Sequence, residues 1–404
     1  MTIHFARSAA LLLMISSAQL LAVSCFQSSF NHPHKKIIPT SASKNGVSRV
    51  SVSSRPMTST NQRFTDLKAA STVVPTPSDS SSSDAPKPSL LTVLWRFTRP
   101  HTIIGSAMAI PALHILAAPT YQAALSVKSL MSMTYAMIPA LLMNLYITGL
   151  NQVTDVEIDK INKPYLPIAS GDLSLKGGII AITISLILSL AMGAASPGVF
   201  GTEGLNVALW YSAILGTVYS LPPFRLKRFP LLAAFCIVAV RGAVINAGFF
   251  AHARVAAFGD TTASVLSCLL TDPKCMLSSL YFAVFGIVIA LMKDVPDVKG
   301  DLLSNILTFP VRLGQVRIFT WMHRLLSGCF GVVGVSFLRG AVMASAPSLE
   351  LGRTVAGIAS IMAALSVQHE ALPVNPENSG QVYSFYMHLW KLFYFSYLVL
   401  PLAR

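Results

Sequence analysis

Charge is what this chain has least of. Only 11% of its 404 residues are Asp, Glu, Lys or Arg, against about 25% in ordinary soluble domains. Hydrophobic residues make up 53% and mean hydropathy is +0.60, so most of the chain has to be solvated by lipid or by itself. Acidic residues are scarcer than basic ones, 16 against 30, which leaves a formal net charge of +14. In a soluble protein that balance would suggest nucleic acid. Here the apolar content argues against it, and the excess cations read as membrane-topology signals and contacts to an anionic substrate. Cysteine is sparse too. The five are scattered without paired spacing, so neither a zinc site nor a disulfide framework is indicated, and Cys268 and Cys275 read as free thiols.

Residues 1–90 have almost no acid, only Asp66, Asp79 and Asp84, and are rich in Ser, Thr, Pro and basic residues. Such a stretch cannot bury enough apolar surface to fold. Its start differs: Arg7 precedes an apolar run over residues 9–23, followed by Ser24-Cys25-Phe26. That layout predicts a signal peptide over residues 1–25. The hydroxylated, basic stretch 26–90 behind it resembles the second part of the bipartite leader of secondary plastids, with Phe26 as the aromatic residue after the cut. The expected address is a plastid membrane, envelope or thylakoid. An uncleaved signal anchor with a disordered tail is the plainer alternative.

From Trp95 onward long apolar runs recur, near 102–118, 130–150, 177–196, 204–221, 230–251, 277–293, 316–338, 342–367 and 384–402. At roughly 20 apolar residues per crossing, residues 91–404 form an all-α integral membrane domain of about nine transmembrane helices. Arg96, Arg99, Lys160, Lys163, Lys176, Arg225, Lys227, Arg228, Lys293, Lys299 and Arg312 fall on one side of that topology. The opposite loops carry few cations, so the rich face is the cytoplasmic-equivalent one.

Two acidic motifs lie on that face. Asn151, Asp155 and Asp159 are spaced by four, which on a helix stacks them along one stripe. Asp294, Asp297 and Asp301 are spaced by three and four, again one face. Like charges so arranged repel unless a cation sits between them. Oxygen-only donor sets suit Mg²⁺, which bridges carboxylates to substrate phosphates. One motif alone reads equally well as solvated loop charge; two on one face beside charge-poor spans point to a site.

These motifs resemble the UbiA-type membrane aromatic prenyltransferase superfamily, typified by the ubiquinone-pathway 4-hydroxybenzoate enzyme. Its Asn-x-x-x-Asp and Asp-x-x-x-Asp signatures are matched by Asn151/Asp155 and Asp297/Asp301. The string Asn-Lys-Pro-Tyr-Leu-Pro-Ile-Ala-Ser-Gly-Asp-Leu-Ser over 162–174 is similar to the plastid homogentisate prenyltransferases. So are Lys-Asp-Val-Pro-Asp-Val-Lys-Gly-Asp over 293–301 and Val-Arg-Leu-Gly-Gln over 311–315. The resemblance covers about residues 95–402. It implies a helical bundle around a central lipid-open cavity, with Asn151, Asp155, Asp159, Asp297 and Asp301 as Mg²⁺ ligands and Asp294 beside them.

It also implies a prenyl diphosphate donor and homogentisate as acceptor, which loses its carboxyl group as CO₂. Lys163, Tyr219, Arg225, Lys227, Arg228 and Lys293 are then expected on the diphosphate, whose leaving they would assist; the plainer reading of these cations is a topology anchor. Arg241 sits inside an apolar span, where a cation is costly without a partner, so Arg241 and Asn246 are expected at the cavity. The 311–315 string leans to a phytyl donor and tocopherol synthesis, and Gly171-Asp172-Leu173-Ser174 leans to a solanesyl donor and plastoquinone. Thr154 stands where an aromatic residue is common before Asp155. The alternative of another class is a divalent-cation or metabolite transporter, against which both motifs share one face rather than the midplane.

Overall fold

The computed structural model describes residues 88–403 except Gly198, Asn305 and Ser345. The expected signal peptide and nearly all of the leader, residues 1–87, lie outside the described residues. Among the described residues the secondary structure is helical, with one isolated bridge between Pro197 and Gly201.

The long helices are α1 (Pro100–Ala117), α2 (Val127–Thr154), α3 (Leu175–Ala194), α4 (Glu203–Ser220) and α5 (Pro230–Ala257). They continue with α6 (Pro273–Met292), α7 (Gln315–Val342), α8 (Pro347–Ala371) and α9 (Ser379–Val399). Seven are long and apolar enough to cross a membrane; α4 and α9 fall outside that set. Their composition accounts for it: α4 opens with Glu203, and α9 carries His388, Lys391 and the phenols of Tyr383, Tyr386, Tyr394 and Tyr397.

Local chemistry sets the helix starts. The first amides of a helix need outside acceptors, which Ser126, Ser174, Thr202 and Asn378 supply to α2, α3, α4 and α9. Pro100, Pro230, Pro273 and Pro347 open α1, α5, α6 and α8, where the missing N–H has no cost. Pro347 also corrects one expected boundary. The span read as 342–367 begins at 347, because α7 runs on through Val342 and the proline restarts the helix.

The helices close a ring. α1 packs on α2 and α9, α2 on α3 and α4, α4 on the later half of α5, and α5 on α6. α6 packs on α7, α7 and α8 form an antiparallel hairpin, and α8 returns to α9. Lipid tails are as apolar as leucine, so close packing rather than water exclusion holds such helices together. Gly242 allows a close approach of α5 to α6, since a Cβ there would lie 2.6 Å from Ala283 Cβ. Across the ring, Phe282 of α6 stacks on Tyr397 of α9 with centroids 3.8 Å apart. Ile180, Ile184 and Ile187 of α3 point outward, where lipid would cover them. α5 contains two widened π turns, Ala239–Val244 and Ala253–Ala257. Such bulges often mark functional positions.

Candidate active site

The expected single helical stripe through Asn151, Asp155 and Asp159 is corrected by the structure. α2 ends at Thr154, Asp155 leaves helical geometry (φ −117°, ψ 21°), and Asp159 sits on a separate short helix, Val156–Asn162. The cause is ionic. Asp155 accepts hydrogen bonds from Arg225 Nη2 at 2.9 Å and from Lys227 Nζ, both on the loop that follows α4. The second motif breaks in the same way: α6 ends at Met292, residues 293–297 turn, and Val298–Leu303 forms another short helix.

The two short helices pack together. Asn162 Oδ1 accepts the Gly300 amide at 3.1 Å, and a Cβ at position 300 would collide with that carboxamide. Glycine is therefore what lets the motifs close. Lys163 Nζ pairs with Asp297 across the same seam. The sequence made both motifs visible, but not this clasp between them.

The motifs line one end of a cavity of about 620 Å³. Asn151, Asp155, Asp159, Lys163, Tyr219, Lys227, Arg241, Lys293, Asp294, Asp297 and Asp301 all reach it. Farther in, the wall is apolar, with Met143, Ile147, Leu209, Ile237, Phe249 and Ile289. Thr102 donates to Asn144 Oδ1 at 3.1 Å, and Asn144 Nδ2 donates to Ser106 Oγ at 3.3 Å, making a neutral polar ledge on α1 and α2.

Three expected residues lie elsewhere. Arg225 reaches Asp155 from outside this cavity, and Arg228 lines a smaller depression beside Glu157. Asn246 is fully buried behind the wall. Its Nδ2 donates to the carbonyls of Arg241 (2.5 Å) and Gly242 (3.0 Å), and its Oδ1 accepts from Tyr397. The π turn explains this, since widened winding leaves carbonyls that a nearby carboxamide can cap.

Residues not expected at the site also appear. Arg99, His101, Tyr386 and Trp390 line the cavity from α9 and the start of α1. In the sequence Arg99 served only as a topology cation. In the structure it holds a left-handed backbone, φ 51°, which costs a non-glycine residue on the order of 1 kcal/mol or more. Arg225 does the same at φ 38°. Local strain thus falls on two cations at the motif end.

Burial pushes the Asp159 carboxyl up to about 6, with Arg99 and Lys163 opposing and Asp155 and Asp297 adding to the rise. Burial also pushes Asp301 up to about 7, reinforced by Asp294 and Asp297, and Thr308 donates to its Oδ2 at 3.2 Å. Burial depresses the Lys227 ammonium, against the pull of Asp155. Asp294 is held by Lys293 at 2.6 Å. Among the described residues, Asp159 Oδ2 is buried without any hydrogen-bond partner, a large penalty for a carboxylate unless a cation meets it. No three His, Cys, Asp or Glu side chains among the described residues converge tightly enough to enclose a metal by themselves. The donors fit a hard divalent ion that takes part of its shell from a bound anion, as Mg²⁺ does.

The sequence matches the UbiA prenyltransferase family over residues 108–392. It is 37% identical over 317 residues to homogentisate phytyltransferase 1, chloroplastic, from Arabidopsis thaliana, covering 78% of this chain and 76% of that one. To the homogentisate solanesyltransferase, chloroplastic, of the same plant it is 32% identical over 349 residues, covering 85% and 84%. The structure of a UbiA homolog from Archaeoglobus fulgidus bound to GPP and Mg²⁺ superposes with a TM-score of 0.51. At 16% identity, over 76% of this chain and 99% of that one, the likeness is one of fold. On these grounds the chain is an enzyme of the UbiA prenyltransferase family.

Proposed function

We propose that this enzyme transfers a prenyl group, phytyl by preference, from its diphosphate to homogentisate with loss of CO₂, in a plastid membrane. One observation carries the reading most directly. Two acidic motifs, clasped by Asn162 and Gly300 and bridged by Lys163–Asp297, close the polar end of a cavity whose far wall is apolar. That is the shape of a diphosphate head joined to an isoprenoid tail. The names of similar relatives supply the acceptor and donor class, and the oxygen-only donor set supports Mg²⁺. All nine long helices are taken as crossings, with the motif end on the cation-rich face and the signal and transit segments removed from residues 1–90.

Asn151, Asp155, Asp159, Asp297 and Asp301 would hold Mg²⁺, with Asp294 in support. When bound, the ion would neutralise diphosphate charge and improve the leaving group. The chain's own cations do related work. Lys163, Lys227 and Lys293, now paired with motif carboxylates, are positioned to turn to the diphosphate oxygens, with Tyr219 beside Lys293, while Arg225 holds Asp155 from outside the cavity and Arg228 lies in the neighbouring depression. The allylic C–O bond then breaks and a C–C bond forms to the aromatic ring. The ring gives up a proton and the side chain loses its carboxyl as CO₂, taking up a proton in its place. The buried wall keeps water from the developing carbocation.

The test uses membranes holding the expressed chain, with Mg²⁺, labelled homogentisate and one prenyl diphosphate per reaction. A decarboxylated, prenylated quinol formed fastest from phytyl diphosphate is the expected result. Faster turnover of the solanesyl donor would overturn the phytyl preference, and absence of product with every donor would overturn homogentisate as acceptor.

A further inference from the structure

Arg241 is a cation on the cavity wall that lacks a counter-ion. Its guanidinium rests 4.7 Å from the Trp390 ring centroid and 5.6 Å from that of Phe393. No acidic residue occurs in α5 itself or in α1, α6 or α9, the helices around it. Asp155, Asp294 and Asp297 are already paired with cations, Asp301 is held by Thr308, and none of the described ion pairs joins Arg241 to these or to Asp159. The neighbouring polar groups supply no anion: Asn246 spends its amide on backbone carbonyls, and beside it stand the His101 imidazole and the phenols of Tyr386, Tyr394 and Tyr397. Aromatic faces offset part of the cost of a cation in such surroundings, but they do not supply an anion.

We propose that Arg241 is the recognition site for the carboxylate of the aromatic acceptor, whose ring lies against His101, Tyr386 and Trp390. The proposal rests on the reading of the acceptor as an aromatic acid and adds where its charge is read. Those three rings already form an edge-to-face set, with His101 5.2 Å from Trp390 and Trp390 6.3 Å from Tyr386, and all three line the cavity. The site also gives the reaction a direction. The carboxylate leaves as CO₂, the product carries no charge there, and Arg241 has no further hold on it.

The experiment is equilibrium binding to the purified full chain without prenyl diphosphate, using labelled homogentisate and 2-methylhydroquinone, the same ring without the carboxylate. Wild-type protein should bind homogentisate far more tightly than the neutral ring. Arg241→Gln should weaken homogentisate about 10- to 100-fold, leaving 2-methylhydroquinone and prenyl diphosphate binding unchanged. Arg241→Lys, which keeps the charge, should recover part of the loss. Arg241→Gln that binds homogentisate like wild type, or that loses prenyl diphosphate to the same degree, overturns the inference while leaving the acceptor reading in place. Wild-type protein that binds prenyl diphosphate but no aromatic acid overturns both.

Discussion

The two ends of the helix ring treat polar groups in opposite ways. At the motif end, charges outnumber neutral partners, carboxylates repel one another, and Asp159 keeps one oxygen without a partner. At the other end a neutral chain links α1, α2, α4 and α5 with every hydrogen placed. His114 Nδ1 donates to the Ile110 carbonyl at 2.9 Å, so its Nε2 must accept from Ser132. Ser132 in turn accepts from His252 Nε2 at 3.1 Å, and His252 Nδ1 accepts from Thr202 at 2.8 Å. All four side chains are buried. Satisfied buried networks specify one packing, whereas partly satisfied ones leave free energy for a ligand. One end fixes the bundle and the other is left to be completed by substrate.

The largest effect should come from breaking the unsatisfied end. Asp159→Asn is expected to cut turnover by about a thousandfold or more, with protein still present in the membrane at wild-type level. Retained turnover would remove Asp159 from the metal set. Breaking the satisfied end should do the reverse. His252→Ala strips partners from Thr202 and Ser132 and should cost about 2–3 kcal/mol of stability, roughly 30- to 150-fold in the folding equilibrium. Thermal unfolding in detergent would read that loss, while turnover per folded molecule stays at the wild-type level.

Gly300→Ala tests the clasp between the motifs. It should raise the Mg²⁺ concentration needed for half-maximal rate by about tenfold, with little change in melting temperature. The smallest effect is a pH slope in the metal-free protein. Folding raises the Asp159 and Asp301 carboxyls to about 6 and about 7, from an unfolded value of about 3.9. Their stabilising contribution is therefore full below about pH 4 and is lost as pH rises through 6 and 7. Melting temperature should fall across that window, and Asp301→Asn should flatten the fall.

Much of this was open to a reader of the sequence, for reasons that also mark where it stopped. Asp155, Asp159, Asp297 and Asp301 could be placed together because local spacing puts them near one another and span counting puts both motifs on one face. The clasp was closed to that reading: Asn162 and Gly300 lie 138 residues apart and meet only when two short helices pack. The same holds for the His114–Ser132–His252 chain, whose second link joins residues separated by 120 positions. Asn246 was misplaced because the sequence does not show that its carboxamide turns to the carbonyls of the π turn and to Tyr397. Arg99 was hidden in plain view, since a cation before a membrane span already had one sufficient explanation.

The pairing of motif carboxylates with lysines and arginine has a consequence for the order in which ligands arrive. Asp155 is held by Arg225 and Lys227, Asp297 by Lys163 and Asp294 by Lys293, so three of the five motif carboxylates already have a cation in place. A lone divalent cation has to draw those carboxylates from their cations, a lone diphosphate has to draw the cations from their carboxylates, and either exchange leaves charge unpaired in a poorly solvated place. Arriving together, they compensate each other. Mg²⁺ should therefore bind weakly without the prenyl diphosphate and tightly with it, and each should raise the apparent affinity of the other by the same factor.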